Sequence, residues 1–102
     1  MPKYFQSFLL PSSPEQAMLQ CRQALGEVGW TIKAVQPDCI VASEGRIRLT
    51  SVTWPAKVIL RVAGGQRGTE ISLDGSVGGW GPIQSNHLKG QLPRLAEMIQ
   101  TA

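Results

Sequence analysis

The chain has 102 residues, 42% of them hydrophobic and 17% charged, with a net charge of +3 and an isoelectric point near 9.2. That length builds one compact domain and not two, and the apolar share excludes global disorder. The mild positive charge lacks the dense Lys/Arg clusters of a duplex binder, and Cys21 and Cys39 lack the C-x-x-C spacing of a zinc site or disulfide framework.

Lys3 to Leu10, rich in aromatic and apolar side chains, reads as a first strand. Its apolar run, Phe8-Leu9-Leu10, stops at Pro11 and is too short for a signal-peptide core. No segment approaches the roughly 18 apolar residues of a membrane span. The expected location is therefore the cytoplasm, with both cysteines as free thiols. The next segment, PSSPEQAMLQCRQALGEVGW, carries a helix signature. Ser13 is placed to cap, Pro14 suits the first helical position, and Gln16 completes an S-x-x-Q box. Ala17, Met18, Cys21, Ala24, Leu25 and Val28 form one apolar stripe, and Gly29 is the stop.

From Trp30 to Val77 the period changes to two. Five strands are predicted, at Trp30–Val35, Cys39–Ser43, Arg46–Val52, Ala56–Ala63 and Thr69–Val77, joined by turns short enough for an antiparallel meander. Ile32, Ala34, Ile40, Ala42, Ile47, Leu49, Val58, Leu60, Val62, Ile71 and Leu73 then share one face. A three-residue loop sets Ala34 opposite Ile40, and a Glu44-Gly45 turn sets Ala42 opposite Ile47. A four-residue loop at 64–67 sets Arg61 opposite Glu70 and Lys57 opposite Asp74. After Val77 the helical period returns at Ile83, Leu88, Leu92, Leu95 and Ile99, with a kink or a break into two short helices expected at Pro93. The predicted fold is α+β: one domain over 1–102, an antiparallel meander sheet in the order β-α-β-β-β-β-β-α, and two helices packed on one face.

This order resembles a pared-down helix-grip domain, the architecture of Bet v 1 and START-like proteins, in which a curved antiparallel sheet wraps a long C-terminal helix. The likeness rests on element order and on that helix. Relative to the family, one helix replaces a pair and a strand is missing. The resemblance implies a binding module that holds an apolar or amphipathic ligand, or a partner protein, between sheet and C-terminal helix, without a cofactor.

The chemistry-bearing residues are few. Arg46, Arg48, Lys57 and Arg61 alternate outward on neighbouring strands and could meet the phosphates of RNA or an anionic lipid surface. Cross-strand pairing with Glu70 and Asp74 would instead make this an ordinary solvated face, and the aromatics that single-strand readers interleave are missing from it. Nucleic acid is thus not the expected partner. Glu70 and Asp74 lie about 13 Å apart along their strand, beyond the spacing of a glycosidase pair. His87, the single histidine, has no serine nucleophile in a G-x-S-x-G elbow and no neighbouring metal ligands. Cys21 sits in the helix stripe as a buried thiol, and Cys39 starts a strand on its outer face without a histidine partner. No catalytic constellation or metal site survives, so an enzyme is not expected.

The run DGSVGGWGPIQSNHLKG fits no dinucleotide or triphosphate fingerprint. It reads as the connector into the last helix, with Pro82 at the first helical position. The alternative is the mouth of an anion or ligand site. The candidate ligand-binding residues are Trp54, Gly79, Trp80, Gly81, His87 and Lys89. Arg46, Arg48, Lys57 and Arg61 form the alternative anionic-surface set. A third possibility is self-association through an uncovered strand edge, leaving monomer and homodimer both open.

Overall fold

The computed structural model describes residues 3–44, 56–77 and 82–101, the side chains of 82–88 excepted. In chain order the elements are β1 (Lys3–Leu10), α1 (Pro14–Glu27), β2 (Trp30–Gln36), β3 (Cys39–Glu44), β4 (Ala56–Gly65), β5 (Gly68–Val77) and α2 (Pro82–Thr101). The strands form one antiparallel sheet in the order β1-β5-β4-β3-β2. Both helices cover the same face, as the α+β expectation requires.

Each helix forms for reasons visible in its residues. At the start of α1 the Ser13 hydroxyl accepts the N–H of Gln16 at 3.2 Å, and Pro14 occupies the first turn, where its missing donor costs nothing. Ala17, Cys21, Ala24 and Leu25 are buried on one face, with Met18 and Val28 half-buried beside them. The helix ends where the Val28 N–H bonds back to Ala24 at 3.0 Å. In α2, Leu92, Leu95, Ala96 and Ile99 are buried at helical spacing. Each of the three large ones contributes about 1.5–3 kcal/mol by leaving water. Ile83 and Leu88, predicted on the same stripe, have side chains outside the described residues. Pro93 does not divide α2 into two helices: helix runs unbroken from Pro82 to Thr101. Its ring removes one backbone donor, yet Leu92 before it and Leu95 after it are pinned in the same core, so packing carries the helix across the defect.

The inner sheet face is built from Ile40 and Ala42 on β3, Val58, Leu60 and Val62 on β4, and Ile71 and Leu73 on β5, all buried. Three predicted registers differ from the structure. β2 and β3 are joined by a two-residue turn, and the pairing then shifts by a bulge between Ile32 and Ala34. Val35, not Ala34, faces Ile40, and Ala34 pairs with Val41 on the outer face, where it is exposed. The β4–β5 hairpin likewise turns on two residues, Gln66 and Arg67, because Gly64 and Gly65 remain in the ladder. That moves the partners by two positions: Glu70 faces Ala63, Arg61 faces Ser72 and Lys57 faces Ser76. The predicted strand Arg46–Val52, with its Ala42–Ile47 pairing, lies outside the described residues. The place expected for it is taken, since β3 pairs directly with β4 from Cys39↔Arg61 to Ser43↔Lys57.

The helix layer seats on the sheet at one close approach. A Cβ on Gly75 would stand 2.9 Å from Cγ and 3.0 Å from Cδ1 of Leu92, so only glycine lets α2 lie this near β5. Farther along, Gln20 ties the helices together. Its amide donates to the Ile99 carbonyl at 3.4 Å, one of the last four of α2 that no helical donor can reach, while its own oxygen accepts the Ser12 hydroxyl at 2.7 Å.

Candidate functional site

Antiparallel order decides which connections share an end of the sheet. Ala56 at the start of β4 pairs with Val77 at the end of β5, and Trp30 pairs with Glu44 at the end of β3. The β3–β4 and β5–α2 connections therefore leave from one end. Trp54 stands two residues ahead of Ala56, and Gly79 two residues behind Val77. The described walls at this end are apolar: Trp30, Ala56 and Val77 are buried. Between them the ladder of β3 and β4 stops at Ser43↔Lys57, and the Glu44 carboxylate takes over, accepting the Ala56 N–H at 2.8 Å.

α2 spans this end unevenly. Leu92 lies over Gly75, two residues from the end of β5, or about 7 Å. Pro82 begins about 15 Å of helix earlier. Because α2 runs toward the Gln20 contact at Ile99, its first turns lie toward this end of the sheet. Lys89 and Gly90, within one turn of Leu92, are exposed, and no atom lies within 4 Å of where a Gly90 Cβ would be. The second half of the helix is sealed against the sheet by Leu92, Leu95, Ala96 and Ile99.

Trp54, Gly79, Trp80 and Gly81 of the candidate ligand set lie outside the described residues, as do the side chain of His87 and both Arg46 and Arg48. Lys89 is an exposed residue of α2. Lys57 and Arg61 project from the outer face of β4, and Arg61 Nη1 approaches Asp74 Oδ2 diagonally at 3.7 Å, with the side chains 57% and 46% exposed. At that distance and exposure the pair contributes tenths of a kcal/mol. It replaces the two facing ion pairs predicted, because the tighter hairpin moved both carboxylates. Glu44 was missed: in sequence it reads as half of a turn, and only the end of the β3–β4 ladder gives its carboxylate a purpose.

The cysteines differ by burial. Cys21 is buried in α1, and desolvation pushes its thiol from 9.0 up to about 12, so it is inert as a nucleophile. Cys39 is half-buried on the outer face opposite Arg61. Among the described residues no three His, Cys, Asp or Glu side chains gather as a metal site, and no helix is long and apolar enough to cross a membrane.

A second recess lies at the opposite end of the sheet, an open cleft of about 370 Å³ lined by residues 11–14 and 65–69. Its hydroxyls are engaged within the fold: the buried Thr69 hydroxyl donates to the Ser12 carbonyl at 2.7 Å, that of Ser12 donates to Gln20, and that of Ser13 caps α1. Gly68, at φ +133°, closes the hairpin there, and a Cβ on it would collide with the Leu10 carbonyl.

No protein-family model matches the sequence, and no curated protein sequence is similar to it. Solved structures share its fold. A protein of Mesorhizobium loti superposes with a TM-score of 0.73 at 12% identity, over 97% of this chain and 94% of that one. One from Nitrosospira multiformis gives 0.72 at 12% identity, over 98% and 94%. The di-domain ARO/CYC protein StfQ of the steffimycin biosynthetic pathway gives 0.64 at 6% identity, over 97% of this chain and 49% of that one, so this chain spans about half its length.

Proposed function

We propose that the chain is a small non-catalytic binding module that takes an apolar or amphipathic ligand between the sheet and α2. The ligand enters at the end of the sheet where the β3–β4 and β5–α2 connections depart. The pairing of Ala56 with Val77 carries this reading. It brings the flanks of the segments bearing Trp54 and Gly79-Trp80-Gly81 to one strand end, the end toward which the first turns of α2 lie. In this scheme the tryptophans supply apolar contact, the glycines let the ligand approach the backbone, and His87 and Lys89 form a polar rim. The other half of the interlayer space is filled, so the ligand occupies only the mouth. The helix-grip resemblance supports the reading, as does a fold neighbour that belongs to a biosynthetic pathway. A cytoplasmic setting fits two cysteines that remain free thiols.

The non-catalytic part rests on chemistry. The Cys21 thiol is held neutral by burial, and Glu70 and Asp74 point from the solvated outer face. On the alternative basic surface Arg61 approaches Asp74, Lys57 lies opposite a serine, and the cross-strand partners of both on β3 and β5 supply no aromatic side chain to stack a base.

Native mass spectrometry of the chain purified gently from its expression host tests the proposal. An adduct that leaves on collisional activation, and is lost with Trp54→Ala or Trp80→Ala, is the expected result. A titration with 1-anilinonaphthalene-8-sulfonate accompanies it, and binding should hold as salt rises because apolar burial is not screened. A bare chain that also fails to bind the dye overturns the reading. A protein adduct in place of a small molecule redirects it to a partner chain.

A further inference from the structure

The two edges of the sheet are built differently. β2 carries a bulge at Ile32/Ala34, a lysine within the strand at Lys33 and Pro37 directly after it, all devices that discourage edge-to-edge pairing. β1 has no bulge and no charge in its interior: its lysine, Lys3, stands at the first position, and Pro11 follows its end as Pro37 follows β2. Its register with β5 runs unshifted from Lys3↔Ser76 to Leu10↔Thr69, and Tyr4 to Leu10 contains no charge and no proline. On its outer face stand Phe5 and Leu9, 66% and 54% exposed, with the exposed Ser7 midway between them. Among the described residues nothing pairs with the free side of this strand.

The geometry points to β1 as a self-pairing edge whose partner is a second copy of this chain. The observation that selects a copy over another protein is the symmetry of the strand about Ser7. An antiparallel dyad through Ser7 sets Phe5 opposite Leu9 of the second copy, and Leu9 opposite its Phe5. Gln6 then meets Phe8, Tyr4 meets Leu10, and Pro11 ends the ladder on both sides. Each copy supplies the aromatic–aliphatic cross-strand pair that the other lacks, and no like charges meet, since the single lysine lies at the strand's beginning. Seven paired residues per copy together with Phe5 and Leu9 bury about 1,000 Å² in total, the lower limit of a specific interface. A contact at that lower limit belongs with weak, transient associations, so the dimer is expected to depend on concentration. The result is one continuous ten-stranded sheet, with the proposed ligand mouths left outside the interface.

Sedimentation velocity across roughly 5–500 μM protein tests this, read against the 11.1 kDa chain mass. The expected result is a concentration-dependent rise to twice that mass. Ser7→Lys, which puts two ammonium groups on the dyad, should raise the dissociation constant at least ~10-fold without lowering the melting temperature of the monomer. The Phe5→Glu/Leu9→Lys double variant faces opposite charges across the dyad and should keep a dimer that weakens with salt. Thr31→Lys, on the β2 edge, should change nothing. A chain that stays monomeric throughout the range overturns the proposal, as does a dimer that Thr31→Lys breaks while Ser7→Lys spares it.

Discussion

The contact between Gly75 and Leu92 is the most exacting in the helix–sheet interface, and its energy can be worked from the distances. Gly75→Ala places a methyl carbon 2.9, 3.0 and 3.3 Å from Cγ, Cδ1 and Cδ2 of Leu92, where apolar carbons prefer 3.5–4.0 Å. Leu92 is fully buried, so it cannot swing into solvent, and α2 must lift instead. Overpacking of this kind costs about 1–3 kcal/mol, offset by about 0.5–1 kcal/mol from the reduced freedom of the unfolded chain. The net expectation is a loss of about 1–2 kcal/mol. Leu92→Ala alone should cost about 2–5 kcal/mol through the void it leaves. In the double variant the new methyl enters that void, so the penalties should fall short of their sum by about 1–2 kcal/mol. Urea unfolding followed by far-ultraviolet circular dichroism measures all four corners of the cycle. Strict additivity would refute the argument, because it would mean that the alanine never meets Leu92.

Three further outcomes follow from the same structure. The Cys21 thiol has a folded pKa of about 12 against 9.0 in the unfolded chain, so its contribution is complete below pH 9 and is lost as pH rises from 9 toward 12. Urea melts from pH 8 to 11 should show the wild type losing up to ~1.4 kcal/mol per unit more than Cys21→Ala, and parallel curves would contradict this. Arg61→Ala should shift stability by less than ~0.5 kcal/mol, since its one ion pair is long and half-exposed; a larger loss in the same melts would show the pair to be structural. Gly68→Ala should cost about 2–4 kcal/mol in thermal unfolding, because it meets both an unfavourable φ and the Leu10 carbonyl.

Much of the architecture was legible from periodicity. The cap at Ser13, the stripe from Ala17 to Val28 and the inward set on β3, β4 and β5 needed only spacing, because burial on one face is what that spacing encodes. Loop lengths were not legible in the same way. Gln-Pro-Asp and Gly-Gly-Gln-Arg-Gly each admit hairpins of different length, and a shift of the turn by one residue per strand moves every partner without changing the inward face. That is why the faces of β4 and β5 agreed with the reading while Arg61 exchanged Glu70 for Ser72 as its neighbour. The bulge that turned Ala34 outward is a backbone event for which Lys33 gives no chemical cue. In the sequence, Trp54, Trp80 and the glycines beside it stood out as unusual residues in connections, whereas Glu44 acquired its role from where a ladder ends. Ser7 at the centre of β1 is likewise silent until the strand is known to be an edge.

Pro93 has a kinetic consequence. Lacking an N–H, it leaves the Lys89 carbonyl without its helical donor, and Gly90 beside it adds backbone freedom. This weak turn lies just ahead of the part of α2 sealed by Leu92, Leu95, Ala96 and Ile99. The helix is thereby split into two cooperative units within one continuous element. Amides of the buried turn around Leu95, Ala96 and Ile99 are expected to exchange with solvent deuterium more slowly than those ahead of Lys89, which can open by local fraying. The turns ahead of Pro93 can then unwind and re-form many times in the lifetime of a single folded core.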